Sequence, residues 1–99
     1  MEYVKVSRDI FEPISNLVKI GLYRNEHEAL RSLVHNQAVN KVDHYTKKIG
    51  QMEKKYVMKF SEFEKMIHAK TDDEDFEAWD DFILWESYVK AYQYWEKLA

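Results

Sequence analysis

The sequence predicts a mainly α-helical protein that opens with one short strand. Three observations lead there. Only two Gly and one Pro occur among 99 residues, with 45% apolar and 33% charged side chains, a balance suited to amphipathic helices. From Ile10 onward the apolar residues recur at helical spacing. Residues that favour helix starts, Asn25, Ser61 and Thr71, stand just ahead of those runs.

The strand is the segment 2–6, Glu-Tyr-Val-Lys-Val. Its alternation puts Val4 and Val6 on one face and Tyr3 and Lys5 on the other. No second strand candidate follows. The backbone groups of this strand are therefore expected to pair with the same strand of a second copy.

After Ser7 the period changes. Ile10, Ile14, Leu17 and Val18 form one stripe of an amphipathic helix. Asp9 is its expected cap, which leaves Pro13 at the edge of the tolerated first turn. Gly21 closes the run, as expected where a helix exits through a left-handed residue. Asn25 with Glu28 makes an Asn-x-x-Glu capping box, opening a second helix that buries Ala29, Leu30, Leu33 and Val34.

A short strand, a helix, a Gly-Leu-Tyr turn and a helix opening Asn-x-x-Glu-Ala-Leu-Arg resemble the ribbon-helix-helix DNA-binding proteins, to which many toxin–antitoxin antitoxins belong. The likeness covers roughly residues 2–40, and Gly21–Arg31 is its most specific part. It implies a homodimer whose paired strands lie in the DNA major groove. Tyr3 and Lys5 would then face the bases, and Arg24 and Asn25 would hold a phosphate at the start of the second helix. Val4, Val6, Ile14, Leu17, Leu30 and Val34 would be dimer core. Glu2, Glu26 and Pro13 depart from the family pattern.

In the second half, Val42, Tyr45, Ile49, Met52 and Tyr56 make a heptad seam. One reading runs the helix unbroken from Glu26 to Tyr56, about 46 Å at 1.5 Å per residue. The other breaks it near Asn40, and the weak helix formers Asn36 and Asn40 favour the break. Ser61-x-x-Glu64 opens a short helix to about Ala69, and Thr71-x-x-Glu74 opens a last one running nearly to Ala99. The charge is uneven as well. Residues 1–50 carry eight Lys/Arg against six Asp/Glu, and residues 51–99 carry seven against twelve. Two parts are expected, a head over 1–44 and an acidic, aromatic extension over 45–99.

The last helix holds eight of the chain's fifteen aromatics. Phe76, Trp79, Phe82 and Trp85 step along it by threes, and Leu84, Tyr88, Ala91, Trp95 and Leu98 follow a heptad. A helix apolar on two sides needs two things to pack against. Phe76, Trp79, Phe82 and Trp85, with Asp80 and Asp81, are the expected docking residues for a basic partner. Packing within the homodimer is the alternative.

The pattern argues against catalysis. There is no Gly-rich phosphate loop and no Cys, Ser61 reads as a cap, and no two of the four His fall at i, i+4. No catalytic residue, metal site or cofactor is expected. The absence of Cys, of a roughly 18-residue apolar run and of a signal-peptide pattern leads to an expected cytoplasmic location without a membrane span. The resulting expectation is a repressor that acts as an antitoxin. It would bind double-stranded operator DNA through its N-terminal ribbon and a basic toxin through its C-terminal helices. The alternative is a helical homodimeric adaptor that keeps the head fold and binds no DNA.

Overall fold

The computed structural model describes residues 2–69 and 75–99. Its regular structure is four helices: α1 (Arg8–Lys19), α2 (Glu26–Tyr56), α3 (Phe60–Ala69) and α4 (Phe76–Glu96). No strand occurs among the described residues. Residues 2–7 are exposed and outside regular structure, so the expected strand-led, ribbon-helix-helix head is corrected and the mainly α class stands. Five alternating residues cannot hold a strand alone, because a ladder needs a neighbour to receive its backbone groups.

The chain divides into two compact units, residues 1–37 and 38–99. That boundary falls inside α2, ahead of the expected 44/45 junction. The expected break near Asn40 does not occur, since α2 is continuous from Glu26 to Tyr56. Weak propensity at two Asn residues costs only tenths of a kcal/mol each, about the size that tertiary packing overrides.

In unit 1, α1 starts at Arg8 with Ser7, not Asp9, in the cap position, and no side chain caps it. Pro13 therefore lies in the helix interior, where its missing N–H leaves the Asp9 carbonyl without its helical donor. The exit is a Schellman motif. Gly21 sits at φ +88°, its N–H donating to Val18 O at 3.0 Å, and the Leu22 N–H donates to Leu17 O at 3.1 Å. Glycine is needed at that angle because a Cβ would crowd the backbone.

In unit 2, the end of α2, α3 and α4 enclose one core. Phe63, Ile67, Ala78, Phe82 and Trp85 are buried, with Ile49, Met52 and Tyr56 packed against them. The rings fill it tilted or stacked: Tyr56 with Phe63 at 4.3 Å, Phe63 with Trp85 at 5.1 Å and Phe60 with Phe82 at 5.8 Å between centroids. The heptad seam of α2 thus serves this chain's own core through Ile49, Met52 and Tyr56. Ser61 is not a cap, because α3 starts at Phe60 and the Lys59 carbonyl accepts from Glu62 N and Phe63 N, both at 3.1 Å. Starting earlier is favoured because it brings Phe60 against Phe82 and Trp85. The Thr71–Glu74 signature lies outside the described residues. Asp75 caps α4, its side chain accepting from Ala78 N at 3.0 Å.

Candidate interaction surfaces

Unit 1 presents the residues expected to meet DNA. Tyr3 and Lys5 are exposed on the irregular N-terminal segment. Asn25 accepts from Glu28 N at 2.8 Å, so its side chain is engaged as the α2 cap. Half of the expected capping box forms. Glu28 does not reach back to the Asn25 backbone, because its carboxylate accepts from Arg24 Nε at 3.1 Å. Arg24 is thereby held beside the helix start, with its side chain 88% exposed.

The expected dimer-core residues line a surface with little cover inside the chain. Val4, Val6, Leu30 and Val34 are exposed, and Ile14 and Leu17 are half-buried. No residue of α1 is buried, although its apolar residues share one face. Ala29 is the only fully buried side chain among residues 2–37.

The expected partner-binding residues of α4 separate into two groups. Phe82 and Trp85 lie in the unit 2 core and are corrected as docking anchors, since no partner can reach a ring with 0% exposure, as at Trp85. Trp79 is half-buried, edge-on to Phe82 and to His68. Phe76 and Asp80 remain exposed. Spacing by threes cannot keep four residues on one face: at roughly 100° per residue, Phe76 and Trp85 fall on opposite sides of the helix.

Asp81 is drawn inward by neighbours that the sequence did not single out. Lys55 Nζ donates to Asp81 Oδ2 at 2.7 Å and to Glu77 Oε1 at 2.8 Å, and the Tyr56 hydroxyl donates to the same Asp81 oxygen. The Lys55 and Tyr56 hydrogen bonds hold the Asp81 carboxyl below the usual carboxylate range. Burial, then the hydrogen bond to Asp81, pushes the Tyr56 hydroxyl up to about 12. The hydrogen bonds to Asp81 and Glu77 push the Lys55 ammonium above its ordinary value. This cluster clamps the end of α2 to the start of α4.

No protein-family model, curated protein or solved structure matches this chain. Its surfaces speak through their own chemistry. At the α2–α3 link an open groove of about 650 Å³ is lined by Gly50, Glu53, Lys54, Val57, Met58, Lys59 and Glu62. A Glu53–Lys59 ion pair of 2.9 Å crosses it. Val57 stands at its lip, 87% exposed and at φ +53°, a strained angle for a β-branched residue. Among the described residues no group of three or more His, Cys, Asp or Glu could hold a metal, and no helix is long and apolar enough to cross a membrane.

Proposed function

We propose that the protein acts by binding, as a self-associating regulator of the antitoxin kind. Unit 1 pairs with a second copy and meets duplex DNA, and unit 2, through the acidic excess of residues 51–99, serves a basic partner protein. The observation that carries the self-association is that α1 is amphipathic yet buries none of its residues. A unit of 37 residues without cysteine lies below the size, about 40 residues, at which domains usually stand without disulfide, metal or oligomerisation. The DNA part is supported by the resemblance of Gly21–Arg31 and by Arg24 standing exposed beside the α2 N-terminus, where a helix dipole attracts phosphate.

A second reading, a helical adaptor without DNA affinity, is favoured by the engagement of Arg24 with Glu28 and of Asn25 as a cap. Salt-dependent binding of the full chain to duplex DNA separates the two. A DNA-binding regulator loses affinity linearly in log salt, and Arg24→Ala or Lys5→Ala lowers that slope by about one for each phosphate the side chain neutralises. No binding at low salt from a protein that still self-associates leaves the adaptor reading.

A further inference from the structure

The helix α4 carries a second apolar face, on the side away from the core. At roughly 100° per residue, Phe76, Asp80, Ile83, Ser87 and Tyr94 fall along one stripe, continued by Leu98 just past the helix end. The core residues Ala78, Phe82, Trp85 and Val89 lie opposite. Phe76, Ile83 and Tyr94 are 73%, 63% and 59% exposed. A face turned only to water would carry polar residues at Phe76, Ile83 and Leu98 as it does at Asp80 and Ser87.

We infer that this stripe is an interface between two copies of the chain, packed antiparallel about Ser87. The stripe is its own complement when reversed. Phe76 and Leu98 lie equally far from Ser87 on either side, as do Asp80 and Tyr94, and Ile83 and Ala91. A two-fold interface sets residue i against j and j against i, so Phe76 meets Leu98 and Ile83 meets Ala91. Asp80, which forms no ion pair among the described residues, meets a hydroxyl donor in Tyr94. Ser87 at the centre and Ala91 beside it are small enough for the helices to approach closely. Glu86 and Lys90, a 3.4 Å pair within one chain, straddle the centre along one edge, so each copy offers the other an opposite charge. A parallel pairing would instead press Asp80 against Asp80 in an apolar seam, which costs charge repulsion. This surface is separate from the self-association proposed for unit 1, and a chain using both would assemble beyond the dimer.

The test is a single cysteine in the full chain, which has none of its own. Ser87→Cys should form a disulfide-linked dimer under mild oxidation, because antiparallel packing brings the two positions to the short Cα separation that a disulfide requires. Gln93→Cys, exposed on α4 but off the stripe, is the control. Ser87→Cys is expected to cross-link at least about tenfold faster, since the pair holds its thiols at high effective concentration. Adding Ile83→Asp should remove that advantage with helicity unchanged by circular dichroism. Adding Val34→Asp, aimed at unit 1, should leave it intact. Equal rates for the two cysteines would overturn the inference, and are the result expected if a foreign protein is the occupant. An advantage that survives Ile83→Asp, or that vanishes with Val34→Asp, would overturn it too.

Discussion

Residues 38–99 bury a Trp, a Phe and an Ile completely, whereas residues 2–37 bury fully nothing larger than Ala29. Both segments are helices with apolar faces, joined by short links. The difference lies in geometry. In unit 2 the end of α2, α3 and α4 surround a common centre, and aromatic rings and long apolar chains turn toward it from all three helices. In unit 1, α1 has one turn of chain and one helix start beside it, so its apolar face has no third wall. Amphipathic pattern alone specifies which face wants cover. It does not say whether the same chain supplies that cover.

Substitutions can break this contrast. The largest effect is expected from Trp85→Ala, which should cost about 3–5 kcal/mol in urea denaturation of the dissociated chain, while Ile10→Ala, 70% exposed in the single chain, should change that same transition by under about 0.5 kcal/mol. Similar costs for the two would remove the distinction between a closed core and an open face. Next, Val57→Gly should raise stability by about 1–2 kcal/mol, because glycine relieves the left-handed strain and the Val57 side chain is almost wholly exposed. A lower urea midpoint would show that the packing of Val57 outweighs its strain. Asn25→Ala should cost about 1 kcal/mol, seen as faster amide exchange at Glu28 and Ala29 with the unit 2 amides unchanged.

The smallest effects are on pH dependence and are read in unit 2. The Asp81 carboxyl is held below its usual range in the fold, so its contribution is present above the unfolded value near 3.9 and is lost as pH falls through the folded value. Asp81→Asn should flatten the acid limb of a stability–pH curve. At the alkaline end, Tyr56 is favoured as the neutral phenol, so stability falls between the unfolded value near 10 and the folded value of about 12. The Lys55 contribution is fully present below about 10.4 and is lost as pH rises through its raised value. An acid limb equally steep in Asp81→Asn would mean that other carboxylates carry it.

Local signals proved legible where a single residue decides the backbone. Gly21 takes the positive φ and Asn25 makes the cap that their types and positions imply. The positive φ at Val57 carried no signal, since nothing in a valine announces it. The strand over 2–6 failed because alternation describes a face and supplies no neighbour to bond. Docking residues on α4 were half legible. Two apolar sides were readable from composition, but steps of three were grouped as one face when they wind round the helix, which put the core rings Phe82 and Trp85 beside the exposed Phe76. The clamp of Lys55 and Tyr56 on Asp81 joins residues more than twenty positions apart, a pairing that only the packing of α2 against α4 creates.

The open face of unit 1 is tested most directly by the solution mass of the full chain from sedimentation equilibrium, with and without Val34→Asp. Val34 is already 48% exposed in the single chain, so the charge should leave the fold intact while disrupting an assembly built on that face. The expected result is a wild-type mass at least twice the 12.0 kDa of one chain, and a clear fall in mass for Val34→Asp. A wild-type mass of 12.0 kDa at micromolar concentration, or an assembly that Val34→Asp leaves unchanged, would contradict it.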